Sequence, residues 1–193
     1  TPNPDTGLPE NWTMSPFKDV AQFGMGKTPP TKNPEFWGGP NSIMWISIGD
    51  MQDGKTIVES NKTISLKAMG DVFRREPWPP GTLLMSFKLT IGKMARLGRE
   101  AFFNEAIFAF DSGTETTNEY LFRILPFISS GANSKGAIKG STLNSESISQ
   151  MQVPIPPISE QRQIVEKIDE LMALIDQMDQ KQQQRNNLRV ATR

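Results

Sequence analysis

The sequence predicts an α+β protein: a globular region with a curved β-sheet and flanking short helices, then a long C-terminal α-helix that pairs as a coiled coil. Three observations predict it. Short apolar runs are separated by Gly- and Pro-rich punctuation in the first three quarters of the chain. A cluster of prolines at 154–157 marks an abrupt change of composition. Beyond it the chain contains neither Gly nor Pro and carries a sustained seven-residue apolar repeat. The division expected from these features is 1–153 for the globular part and 154–193 for the helix.

In chain order, Ile43-Met-Trp-Ile-Ser-Ile48 reads as a strand, as do 82–87 and 119–125. The run 101–110 is apolar and fits either a strand or a short helix. Asp53-Gly54 reads as a hairpin turn. In the last segment, Pro154-Ile-Pro-Pro157 forces an extended lead-in, because a residue preceding proline is pushed out of the helical region. Ser159 is the expected N-cap, with Glu160 adding negative charge to the first turn. Ile164, Ile168, Leu171, Ile175 and Met178 follow with spacings of four, three, four and three. That is the seam of a helix lying lengthwise against another helix, and Val165, Met172 and Leu174 widen it. A helix to about Leu188 is a rod of roughly 45 Å at 1.5 Å per residue.

Composition narrows the chemistry. The 193 residues include no Cys, which excludes disulfides, thiolate metal sites and a cysteine nucleophile. His is also absent, removing the commonest general base and metal ligand, so no catalytic residue and no metal site are expected. No apolar stretch is long enough for a membrane helix, and a cytoplasmic protein is expected. Formal net charge is zero, yet the basic residues cluster. Arg74, Arg75, Lys88, Lys93, Arg96 and Arg99 face a single intervening acid, Glu76. Arg123, Lys135 and Lys139 follow with no acid between them. Two basic patches on a neutral chain are compatible with a DNA-contacting face.

Several local motifs reduce to turns. Gly24-Met-Gly-Lys-Thr28 resembles the end of a phosphate-binding loop, but Ala21 stands where the first Gly is required. Pro29 and Pro30 also prevent the helix that would point N–H groups at a phosphate. Asn33-Pro-Glu-Phe36 resembles part of an adenine-methyltransferase segment, yet Glu35 replaces its second proline and no glycine-rich methyl-donor loop is present. Asp50, Asp53 and Glu59 are grouped closely enough in sequence to suggest metal or acid–base work. In Leu89-Thr-Ile-Gly-Lys93, Gly92 permits close backbone approach, and Lys88, Thr90 and Lys93 are possible donors to phosphates or base edges.

Taken in order, these pieces resemble the specificity subunit of type I restriction–modification enzymes. The matching residues are Leu8-Pro-Glu-Asn-Trp12, Gly26-Lys-Thr-Pro29, Trp37-Gly-Gly-Pro-Asn-Ser-Ile-Met-Trp-Ile46, Pro80-Gly-Thr-Leu-Leu-Met-Ser86 and Thr90-Ile-Gly-Lys93. Asn104-Glu-Ala-Ile107 stands where the family usually has Asn-Gln-Ala-Ile. Val153-Pro-Ile-Pro-Pro-Ile-Ser-Glu-Gln161, leading into the long helix, is the most specific of the set.

The resemblance implies a target-recognition domain that reads part of a split sequence in double-stranded DNA, mainly from the major groove. It implies two such domains held apart by paired antiparallel helices that fix the gap. Methyltransferase and restriction subunits are the implied partners. Methyl transfer from S-adenosylmethionine would belong to those partners, and no cofactor is expected here. With one domain and one helix, the chain is expected to be a half-length subunit or a fragment. A half-length subunit would pair through the Ile164–Met178 seam with a second half or with itself as a dimer, and the two-fold symmetry of self-pairing would predict a palindromic split target. The expected DNA contacts are Lys27, Thr28, Lys88, Thr90, Lys93, Arg96, Lys135 and Lys139. The competing readings are a methyltransferase or nuclease fragment, and a coiled-coil scaffold that does not bind DNA.

Overall fold

The continuous apolar runs of the globular region become strands covered on both faces, and this decides the layering. In a computed structural model, which describes residues 7–131 and 144–191, the order of elements starts with β1 (Thr13–Pro16), α1 (Phe17–Val20), β2 (Gln22–Met25), β3 (Ile43–Ile46), β4 (Lys55–Ile57) and β5 (Lys62–Ile64). Then come α2 (Leu66–Ala68), which runs into a wider π-type turn, β6 (Leu83–Ser86), β7 (Met94–Leu97), β8 (Ala101–Phe103) and β9 (Ile107–Asp111). The chain continues through α3 (Glu115–Gly131), α4 (Ser145–Ser149), β10 (Gln152–Ile155) and α5 (Ile158–Ala191).

The expected curved sheet is resolved as open sheets stacked in layers. Five strands run in the order β2-β9-β6-β7-β4, three in the order β5-β3-β8, and β1 pairs with β10. Between the larger sheets lie Met44, Ile46, Leu84, Leu97, Phe103 and Ala109. The other face of the five-stranded sheet packs Met85, Met94, Phe108 and Phe110 against Tyr120, Leu121 and Leu125 of α3. Beyond the three-stranded sheet, Trp45 and Phe102 pack against Ala68 and Phe73. Every residue of β3 and β6 is therefore buried, so 43–46 and 83–85 are continuously apolar rather than alternating, and Ser86 is the one polar member.

Four expectations change. Residues 119–125, read as a strand, belong to α3. Tyr120, Leu121 and Leu125 lie on one face of that helix, against the sheet. A short apolar run looks the same in either state, and the helix start is marked instead by Thr114, whose Oγ1 accepts from the Thr117 N–H at 3.4 Å. The run 101–110 is two strands in different sheets, separated by a turn in which Asn104 Oδ1 accepts from the Ala106 N–H.

Asp53-Gly54 is a turn but joins no hairpin, because β3 and β4 lie in different sheets and β4 runs parallel to β7. Gly54 takes φ 71°, its N–H donates to the Met94 carbonyl, and Asp53 Oδ1 accepts from the Met94 N–H. The turn thus docks on β7 rather than closing on its own predecessor.

The long helix forms as expected, but starts at Ile158. The Pro157 carbonyl accepts from the N–H groups of Glu160 and Gln161, so Pro157 rather than Ser159 occupies the cap position. The 34 residues of α5 give a rod of about 51 Å.

Candidate functional site

Three loops converge at one end of the sheets. The segment after β2 is pinned where Gly26 N–H donates to the Ile107 carbonyl and Lys27 N–H donates to Phe103. A side chain at Gly26 would collide with the Phe103 and Asn104 carbonyls, so only glycine allows this approach. Trp45 Nε1 donates to the Lys27 carbonyl at 3.0 Å and fixes the loop from the neighbouring sheet. From the β6–β7 loop, Phe87 N–H donates to the Ala106 carbonyl, which brings Lys88 alongside the β8–β9 turn. Lys88 Nζ lies 5.5 Å from the Phe87 ring centroid.

These contacts bring Lys27-Thr28 and Lys88 to the β8–β9 turn, where Thr28 and Lys88 act on Glu105. Thr28 Oγ1 donates to Glu105 Oε2. That hydrogen bond, helped by the nearby Lys88 ammonium, outweighs partial burial and holds the Glu105 carboxyl below its ordinary pKa. Glu105 was not among the expected contacts, although the departure at Asn104-Glu-Ala-Ile107 marks its position in the sequence. Thr90 is exposed on the same β6–β7 tip. Beside it, Leu89 is 96% exposed at φ 61°. Buried Ser86 holds the tip, donating through Oγ to the Thr90 carbonyl and accepting from the Lys93 N–H.

Two further expected contacts sit elsewhere. Lys93 turns inward, donating through Nζ to the carbonyls of Met51 at 3.0 Å and Ile48 at 3.4 Å. Arg96 pairs with Glu119 of α3, its guanidinium 5.9 Å from the Phe122 ring centroid. Both cations therefore already have partners within the domain. Lys135 and Lys139 lie outside the described residues.

Of the acids singled out in sequence, Asp50 and Asp53 are structural, and Glu59 is exposed. Burial pushes the Asp50 carboxyl up, but hydrogen bonds from Ser47 and Asn61 outweigh it and hold the group below its ordinary value. Asp53 serves the turn at Met94. Among the described residues no three His, Cys, Asp or Glu side chains are grouped to hold a metal. No described helix is long and apolar enough to cross a membrane.

The second feature is α5. Its first turns pack on the domain: Ile164 and Val165 join the main core, Arg123 Nε donates to Asp169 Oδ1 at 2.7 Å, and Ile168 is half-buried. Beyond that point the apolar seam is uncovered, with Leu171 48%, Ile175 49% and Met178 69% exposed. An amphipathic helix with its apolar stripe in water presents a surface for another helix.

Residues 9–186 match the family described as the type I restriction modification DNA specificity domain. The chain is 25% identical over 186 residues to the MjaIX type I restriction enzyme specificity subunit of Methanocaldococcus jannaschii, covering 94% of this chain and 41% of that protein. The fold is similar to that of the HsdS subunit from Thermoanaerobacter tengcongensis, with a TM-score of 0.67 at 20% identity over 91% of this chain and 41% of that one. It is also similar, with a TM-score of 0.69 at 19% identity, to a chain in a structure addressing complex assembly and conformational transition of the type I R-M system; the match covers 92% of this chain and 42% of that one. The chain thus spans about two fifths of the length of these relatives. With a family match over nearly its whole length, this chain belongs to the type I restriction–modification DNA specificity family.

Proposed function

We propose that the chain recognises one half of a split DNA target for a type I restriction–modification complex, and that α5 sets the distance to the other half. The observation that carries this reading is the convergence of Lys27-Thr28, from the loop after β2, with Lys88, from the β6–β7 loop, at one end of the layered sheets. Cationic and hydroxyl donors on adjacent loops suit phosphate oxygens and base edges. We assign DNA contact to these residues and Thr90, and a structural role to Lys93 and Arg96. Residues 1–153 act as the recognition domain and 154–193 as the spacer.

In this reading the chain is non-catalytic and works in the cytoplasm. Methyltransferase subunits bring S-adenosylmethionine chemistry, and a restriction subunit cuts. The seam Leu171, Ile175 and Met178, continuing from Ile164 and Ile168, pairs antiparallel with the helix of a second half or a second copy. The MjaIX relative, whose length exceeds twice the matched segment, has room for such a second half.

The test is duplex DNA binding as a function of salt, by the chain with its methyltransferase subunit. Phosphate contacts release counterions, so affinity should fall with a slope of about −0.9 per contact in log–log form. Salt-independent binding, or no binding in that complex, overturns the reading. Micromolar S-adenosylmethionine binding by the chain alone would overturn the non-catalytic assignment.

A further inference from the structure

A helix can set a distance on DNA only if the domain holds it at a fixed angle. With 34 residues in α5, a swing of about 4° moves its far end by one base-pair rise of about 3.4 Å. The backbone at the junction is poorly equipped to hold that angle. β10 pairs with β1 through Pro154 and Ile155, but Pro154, Pro156 and Pro157 have no N–H to donate.

Side chains from three directions take over. From α3, Tyr120 Oη donates to the Pro154 carbonyl at 2.7 Å. From the first turn of α5, Gln161 Nε2 donates back to the Pro156 carbonyl at 2.9 Å. From the segment before β1, Trp12 Nε1 donates to Glu160 Oε2 at 2.7 Å, and Asn11 Nδ2 donates to Glu160 Oε1. Gln161 is the telling member. It is 1% exposed, and its Oε1 has no hydrogen-bond partner among the described residues. A buried amide oxygen without a donor is destabilising, and an apolar side chain of similar size would avoid that penalty. What the amide adds is direction: it ties the first turn of α5 to the last extended residues.

We propose that Tyr120, Glu160 and Gln161 are positioning residues that set the exit angle of α5, and thereby the gap between the two halves of the DNA target. The inference rests on the split-target reading given above. Neither Tyr120 nor Gln161 is exposed enough to contact DNA, so their influence would be on spacing and not on base choice.

The test is methylome sequencing of the host strain carrying the wild-type gene, Gln161→Leu or Tyr120→Phe, reading half-site sequence and gap separately. Tyr120→Phe removes a single hydroxyl and keeps the ring in its packing, so it covers the case in which Gln161→Leu does not accumulate. The wild type should modify a split target of one gap length. Both variants should keep the half-site sequences, while modification at gaps one base pair shorter or longer rises at least tenfold relative to the wild-type gap. A merely stabilising role would lower modification without changing the gap distribution, and that result overturns the proposal. A wild-type target with no gap overturns the split-target reading itself, and this inference with it.

Discussion

Trp12 Nε1 donates to Glu160 Oε2 at 2.7 Å across 148 positions of sequence, joining the segment before β1 to the first turn of α5. The contact closes the domain, since β1 and β10 pair immediately beside it. Trp12 is only half-buried, so the bond is more than a consequence of core packing.

A hydrogen bond to a carboxylate typically contributes about 1.5–3 kcal/mol. Trp12→Phe should therefore lower unfolding free energy by about that amount, read by urea titration. In a double-mutant cycle with Glu160→Ala, the two losses should be less than additive. Full additivity would show that the pair is not coupled.

Tyr120 is the single tyrosine of the chain, so its ionisation can be followed alone by ultraviolet difference absorbance. Burial pushes its hydroxyl from 10.0 up to about 12. The raised value means that the folded state favours the neutral form. The associated stability is complete below pH 10 and is lost as pH rises through about 12. A folded-state midpoint near pH 10 would contradict the burial and the bond to Pro154.

At the acid end, Asp50, Glu105 and Asp111 are all held below their ordinary values. For Asp111 the leading cause is the hydrogen bond from Asn118 Nδ2, joined by the Gly113 N–H just before α3. Depressed carboxyl pKa values stabilise the fold above the unfolded-state range, and this contribution disappears as pH falls through the folded-state values. Thermal melts should thus show stability declining below about pH 4. Asp111→Asn should make that decline shallower.

Lys27→Ala and Lys88→Ala should each reduce the salt slope of DNA binding by about 1 and weaken binding to different sequences alike, if their partners are phosphates. Arg96→Ala should leave the slope unchanged. Its partner is Glu119, and the pair is partly exposed, so the stability loss should stay within about 1 kcal/mol.

Replacing Leu171, Ile175 and Met178 with Ser should abolish self-association or pairing with a second half, measured by sedimentation. These side chains are 48–69% exposed, so the melting of the layered domain should not change. Retained association would place the interface elsewhere.

The segments legible from sequence are those whose cause is local. The prolines at 154–157 dictate an extended lead-in wherever they occur, and the spacing from Ile164 to Met178 defines one helical face without reference to neighbours. The runs 43–46 and 83–86 are apolar enough to be strands, although nothing in them says that both faces are covered. The run 119–125 is the counterexample. Its apolar residues suit a strand or a helix, and packing on the five-stranded sheet selected the helix.

For the site, residue type suggested which side chains could touch DNA, but charge carries no information about its partner. Lys93 and Lys88 flank the same short loop, yet one turns into the Met51 and Ile48 carbonyls while the other meets Glu105. Sequence by itself determined the family, the rod and the absence of His and Cys chemistry, because composition and short-range periodicity suffice for these. Tertiary structure alone decided which cations are already satisfied, and how the rod is clamped to the domain. Apart from the local tie of Gln161 to Pro156, both depend on contacts between residues tens to more than a hundred positions apart, whose geometry exists only once the layers have packed.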